Sequence, residues 1–211
     1  MDPLRVLLQT ERLLLCTWSA EDTEVLLALS RDPEVMRFFP GPAPREQIEA
    51  LVGRQQEALA AGRPGLYAVH TRETEPGGSR CIGFVGIMVP RFRAPFMEPF
   101  TASATPCVEI GWRLRRDAWG RGYASEAARE VLRHGFETLG LPEVVSFTAV
   151  VNEPSRAVMR RIGMRHDHDG DFDHPVLDPG HPLERHVLYR LTAEEWRSSR
   201  SHQVHAGELR D

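Results

Sequence analysis

The stretch Trp119-Gly120-Arg121-Gly122-Tyr123-Ala124 has the residue types of a phosphate site. A strand-like run from Cys107 to Leu114 precedes it. A helical pattern follows, with Ala124, Ala128, Val131, Leu132, Phe136 and Leu139 on one face. A strand that turns directly into a helix leaves backbone N–H groups unpaired at the positive end of the helix, and those groups attract phosphate. Gly120 and Gly122 remove the Cβ atoms that would hold an anion away from the backbone. Two common phosphate loops do not fit. The dinucleotide fingerprint needs a third glycine where Ser125 stands, and no acidic residue ends a clear second strand about 20 residues on. A P-loop needs a lysine, and the chain has none. A second cluster, His166 to His174, resembles a metal loop. Asp167, Asp169 and Asp171 imitate the first half of an EF-hand, but Gly170 falls at the fourth position instead of the sixth, and Asp178 stands where the closing glutamate belongs. This predicts a solvated hairpin loop and no metal.

The elements that must position these residues are legible from pattern and punctuation. Thr10 to Cys16 predicts a first strand. Ser19, with Asp22 in the box position, predicts a capped helix through Leu29. A broken stretch with four prolines runs from Arg31 to Pro44, and a second helix from near Pro44 ends by Gly62. Leu66 to His70 is a strand, Glu75 to Gly78 a turn, and Cys81 to Val89 a central strand. The segment from Pro90 to Pro106 reads as a long loop carrying Phe92, Phe96 and Phe100. After the helix that follows Gly122, Val144 to Val151 is a buried strand. Pro154 and Gly163 mark the two ends of a short helix. Glu184 to Leu191 predicts the final strand, and a helical turn starts at Thr192. Hairpin-like strands mixed with crossover helices give an α+β fold with a mixed central sheet. Residues 1–196 read as one domain and 197–211 as a loose polar tail.

Composition sets outer bounds. With 211 residues, 41% of them hydrophobic, the chain is long enough for one domain with a sizeable core. A net charge of -4 does not suggest a general nucleic-acid binder. Cys16, Cys81 and Cys107 are widely spaced, odd in number and set in apolar runs, which points to buried thiols rather than disulfides or metal ligands. The first residues do not form a signal peptide and no apolar run approaches membrane length, so a cytoplasmic protein is expected.

The two glycine-containing segments together resemble the GNAT superfamily of N-acetyltransferases. Its acetyl-CoA loop reads Gln/Arg-x-x-Gly-x-Gly/Ala, and Gly122 and Ala124 match the last two fixed positions. Trp119 stands where Gln or Arg is usual, a departure similar to the branch of ribosomal-protein N-terminal acetyltransferases, with Trp-Gly-x-Gly-Tyr-Ala followed by Glu-Ala. The opening Thr10-Glu11-Arg12-Leu13 resembles that branch too, and Asn152-x-x-Ser155 with Gly163-Met164 supplies the second motif. The resemblance implies an acyl-CoA N-acyltransferase fold in which two parallel strands splay apart around the pantetheine arm. The backbone of Ile110, Trp112 and Leu114 would pair with that arm, the pyrophosphate would sit on the amides of Arg121, Gly122, Tyr123, Ala124 and Ser125, and Asn152 would bond the pantetheine. It implies acetyl-CoA as co-substrate and direct transfer to a primary amine, a protein N-terminus or a small molecule.

Glu109, a carboxylate in an otherwise apolar strand beside that cleft, is the expected general base, because partial desolvation raises a carboxyl pKa. The alternative is an outward-facing strand residue. The tyrosine that many relatives use as proton donor is replaced by Met159. The branch points instead to Ser155, whose alternative role is to satisfy helix N–H groups. Met159 also keeps open a rival reading, a non-catalytic acyl-CoA sensor or interaction protein on the same fold. The rings of the Pro90–Pro106 loop are expected to cover either an acceptor or the second subunit of a homodimer. Glu98 and the acidic loop near Asp171 would attract an ammonium group.

Overall fold

A computed structural model describes residues 5–74, 79–102 and 106–208. Eight strands form one sheet in the order β1-β2-β3-β4-β5-β6-β8-β7. They are β1 (Val6–Gln9), β2 (Leu13–Cys16), β3 (Leu66–Thr71), β4 (Cys81–Met88), β5 (Glu109–Leu114), β6 (Glu143–Ala149), β7 (Arg165–Asp173) and β8 (Arg185–Thr192). Every neighbouring pair is antiparallel except β5 and β6, which run parallel. The helices are α1 (Ala20–Arg31), α2 (Pro33–Met36), α3 (Arg45–Ala60), α4 (Glu98–Ala102), α5 (Tyr123–Glu137), α6 (Glu153–Arg161) and α7 (Ala193–Glu208). Among the described residues no helix is long and apolar enough to cross a membrane.

The sheet buries both faces. On one face α5 lays Ala127, Ala128, Val131 and Leu132 against Ile82, Val85, Ile87 and Ile110, and Met159 of α6 and Trp196 of α7 join the same core. On the other face α1, α2 and α3 pack Leu26, Leu27, Val35, Ile48 and Val52 over Ala68 and Phe84. Farther along that second face Phe96 and Phe100 cover Val145, Phe172 and Leu188. Local chemistry fixes the helix ends. Ser19 and Asp22 form a reciprocal capping box at α1, as the sequence predicts, and Asn152 caps α6.

Several expectations need correction. β1 precedes the strand expected to be first, and α2 forms inside the stretch that reads as broken, started by the Asp32 cap and Pro33. The expected Pro90–Pro106 loop contains a 3₁₀ turn at Pro95–Met97 and α4. The expected buried strand ends at Ala149, and Val150 and Val151 are exposed in a turn. The cluster read as a solvated hairpin loop is strand β7, which pairs with β8 at the sheet edge. Helix α7 continues to Glu208, through most of the segment read as a loose tail. The Glu75–Gly78 turn lies outside the described residues.

Candidate active site

The parallel pair opens as it runs. β5 and β6 share one register position, Glu109 opposite Val145, where Val145 N donates to Val108 O at 2.9 Å. One step on, Ile110 O accepts from the Ser146 hydroxyl at 2.9 Å. Alternate residues of a strand present their backbone to the same side. Trp112 and Leu114 therefore turn their main chain toward β6 where the two strands no longer pair. Beyond Leu114 a 3₁₀ turn (Arg116–Ala118) leads to Trp119, whose indole N–H donates to Leu114 O at 2.8 Å. The aromatic residue at the usual Gln/Arg position thus closes the strand-to-helix turn.

That turn then opens a phosphate-sized cradle. Gly120 and Gly122 have φ of 73° and 80°, which side-chain-bearing residues resist. A Cβ on Gly120 would meet no heavy atom within 4 Å, and one on Gly122 would meet only Arg12 Nη2, at 3.5 Å. No side chain caps α5 among the described residues. Its first-turn amides therefore face open space at the positive end of a 15-residue helix. These features suit a pyrophosphate. A cleft of about 1180 Å³ runs past this turn. Its walls include Trp112, Leu114, Gly122, Tyr123, Ala124, Ser125, Asn152 and Ser155, and it reaches Arg113, Phe38 and Phe39.

A constellation that motif reading did not connect holds the turn in place. Glu126 accepts from Thr10 Oγ1 (2.6 Å), Arg12 N (3.0 Å) and Arg12 Nε (2.7 Å), and Arg12 also stacks 4.8 Å from the Tyr123 ring centroid. The start of β2 is therefore tied to the first turn of α5. Both halves stand in the sequence, as Thr10-Glu11-Arg12 and as the glutamate after Tyr-Ala. Their 114-residue separation hid the link.

The predicted chemical residues are not all in one place. Asn152 and Ser155 line the cleft together. Asn152 Oδ1 accepts from Ser155 N at 3.3 Å, and its Nδ2 donates to Thr148 Oγ1 at 2.8 Å and to Ser155 Oγ at 3.2 Å. The helix-capping role is thus realised, and both amide hydrogens of Asn152 are engaged within the chain. A serine oxygen that accepts from Asn152 keeps its own hydroxyl hydrogen to donate. Met159 is fully buried in the core on the α5 side.

Glu109 does not line the cleft. It sits at the closed end of the strand opening, half-buried, level with Met88 on one side and Val145 on the other. Its side chain shares the second sheet face with Gly111 and Arg113, and burial pushes its carboxyl up to about 8. Ile110 is buried and Arg121 exposed, and neither side chain lines the cleft. The aromatic rings of the 90–106 segment cover the chain's own sheet. Phe96 and Phe100 are buried, and Phe92 packs on Phe147, Phe172 and His174. Neither an acceptor nor a second subunit is needed to account for these rings. In β7, His166 Nε2 lies 2.8 Å from Asp171 Oδ1, and the His166 ring stacks on Tyr189.

The chain matches other proteins over most of its length. Residues 12–165 match the acetyltransferase (GNAT) domain family. The chain is 33% identical over 196 residues to an FsC-acetyl coenzyme A-N(2)-transacetylase from Aspergillus fumigatus, covering 90% of this chain and 77% of that one. It is 27% identical over 188 residues to the uncharacterized N-acetyltransferase YnaD of Bacillus subtilis, covering 89% of this chain and 97% of that one. Among solved structures, an acetyltransferase from Agrobacterium tumefaciens superposes with a TM-score of 0.64 at 27% identity, covering 90% of this chain and 95% of that one. The open parallel pair, the uncapped glycine turn and these likenesses agree, and the chain belongs to the GNAT family as an N-acetyltransferase with acetyl-CoA as its co-substrate.

Proposed function

We infer that the protein acetylates a primary amine by direct attack within a ternary complex. The observation that carries this reading is the single-position pairing of β5 with β6, with a desolvated carboxyl at its vertex and a phosphate cradle at its far end. Acetyl-CoA supplies an activated thioester when bound. The residues that would hold it are the amides from Arg121 to Ser125, for the pyrophosphate, and the backbone of Ile110, Trp112 and Leu114, for the pantetheine arm. Asn152, whose amide hydrogens are already used, acts by fixing Ser155.

Glu109 takes a proton from the acceptor ammonium, directly or through one water, and leaves a neutral amine to attack. A carboxyl near 8 is matched to an amine donor far better than an ordinary carboxylate is. The C–N bond forms and the C–S bond breaks; the Ser155 hydroxyl gives its proton to the departing thiolate, and the proton that the attacking nitrogen sheds on becoming an amide restores the serine. The name of the Aspergillus relative, an N(2)-transacetylase, supports an amine nitrogen as the acceptor atom.

Thermal unfolding with acetyl-CoA, followed by CoA release in an amine panel, tests the reading. Acetyl-CoA should raise the melting temperature of the wild type, because a native-state ligand stabilises by mass action. Gly122→Val, which puts a branched side chain at φ 80° in the cradle, should remove that shift. A folded Gly122→Val protein with an undiminished shift would place the donor elsewhere. Donor binding without CoA release in any amine would refute transfer.

A further inference from the structure

Most half-buried cations among the described residues are paired with an anion; Arg72, which donates to Thr10 O, and Arg113 are not. Arg12 is paired with Glu126, Arg133 with Glu130, and Arg190 with Asp167 and Glu143. Arg113 has no carboxylate partner among the described residues. Its guanidinium carbon lies 3.8 Å from the Phe39 ring centroid and 5.7 Å from that of Phe84, and its Nε is buried without a hydrogen-bond partner. Burial alone draws its pKa down to about 10. The rings supply some cation–π attraction, but a guanidinium removed from water is best compensated by a carboxylate or phosphate in its plane.

Space for such a group lies beside it. A Cβ built on Gly111 would meet no heavy atom within 4 Å, and Arg113, Phe38 and Phe39 line the cleft. Alternation puts Glu109, Gly111 and Arg113 on one face of β5, so the proposed base and the guanidinium project from the same side of the sheet, with Arg113 at the cleft and Glu109 outside its lining.

We propose that Arg113 is the receptor for a carboxylate carried by the acceptor amine. This rests on the reading of Glu109 as the base. At about 3.3 Å per residue, the four steps from Glu109 to Arg113 span roughly 13 Å. Allowing about 3 Å for a contact at each end leaves about 7 Å between amine and carboxylate. That separation fits a dipeptide-sized acceptor with a free C-terminus. A single α-amino acid is too short, and a polyamine has no carboxylate. The expected pull of an ammonium group by Glu98 and the acidic loop is therefore set aside. The phosphates of the donor are the competing anions, and they are served by the turn on the α5 side.

The test compares kcat/KM for dipeptides with free C-termini against their C-terminal amides, in the wild type, Arg113→Met and Arg113→Lys. A charge-assisted hydrogen bond predicts that the wild type favours the acid by about tenfold or more. The ratio should fall to within about twofold in Arg113→Met and lie between in Arg113→Lys, which also carries the test if the methionine variant does not fold. A wild-type ratio near one, or an unchanged ratio in Arg113→Met, overturns the proposal. So does acetylation of other amines but of no dipeptide in either form. Loss of the acetyl-CoA thermal shift in a folded Arg113→Met protein, with the acid-to-amide ratio kept, would assign the guanidinium to the donor. Donor binding with no acetylation of any amine would refute the transfer reading itself. Thermal shifts by dipeptide acids and amides in the presence of CoA would then decide Arg113, with a shift by the acid alone expected and equal shifts overturning it.

Discussion

Three side chains carry the proposed chemistry, and each was legible to a different degree. Glu109 stands out in the sequence as the one carboxylate of an apolar strand, but only the sheet register shows that it marks the point where β5 and β6 part. Ser155 is visible through its spacing from Asn152, while the direction of their hydrogen bonds needs the fold. Arg113 gives no signal in the sequence, because its surroundings come from β4 and the residues after α2. Ser155→Ala should lower kcat about tenfold to a hundredfold and leave acetyl-CoA binding close to the wild-type value, as expected for a lost proton donor. Steady-state kinetics beside a binding titration checks this, and an unchanged kcat would return Ser155 to helix capping alone. The Glu126 clamp makes a pH prediction. Burial works against ionisation of Glu126, but the bonds from Thr10 and Arg12 outweigh it and hold the carboxyl below its ordinary 4.5. A depressed folded pKa gives stability that is present above the unfolded value and lost as pH falls through the folded one. Arg12→Met should therefore lower the melting temperature by about 2–4 °C near neutral pH, for about 1 kcal/mol, and by less at acid pH, read in parallel melts.

At the scale of elements, marked ends were the most readable feature. Ser19 with Asp22, Gly122, Pro154 and Gly163 each announce a boundary that the structure keeps within a residue or two. Elements without such marks or without apolar periodicity were missed. β7 runs through His166-Asp167-His168-Asp169-Gly170-Asp171 because it is an edge strand. It buries only Phe172, so its sequence has little need of hydrophobic alternation. The four-residue α2 was hidden for another reason, since Asp32 both ends one helix and caps the next. The cap of α6 permits a direct test. Asn152→Asp keeps an acceptor for Ser155 N but loses the two N–H donors. Asn152→Ala loses both and should cost about 1 kcal/mol of stability. Both variants should lower kcat if the amide fixes the Ser155 hydroxyl. A wild-type kcat in Asn152→Asp would show that Asn152 serves the helix alone.

The whole molecule is a sheet with one deliberate fault line. Antiparallel ladders hold β1 to β5 on one side and β6, β8 and β7 on the other, and among the described residues only Glu109 and Val145 join the two halves by strand register. The second half therefore needs a core of its own, which Phe96, Phe100, Phe172 and Leu188 provide. Phe96→Ala should cost about 3 kcal/mol or more, as for other buried rings, and should lower the melting temperature well before it alters the KM for the acceptor. An altered KM in a protein of wild-type stability would return those rings to substrate binding. Burial holds His186, beside this core, down to about 4. A neutral buried imidazole stabilises fully above its ordinary 6.5, and that contribution fades as pH falls toward 4, so the same half should loosen across that window. On the reading proposed above, the fault line matters because it sets an acyl donor near a raised carboxyl. The pH dependence of kcat/KM in the wild type and in Glu109→Gln tests that arrangement most directly. A base that must be ionised gives a wild-type rate that rises with pH and levels above an inflection near 8. Glu109→Gln should lower the rate about a hundredfold and lose that inflection, with partial recovery at high pH where the amine is already neutral. Wild-type turnover with the same inflection in Glu109→Gln would contradict the account.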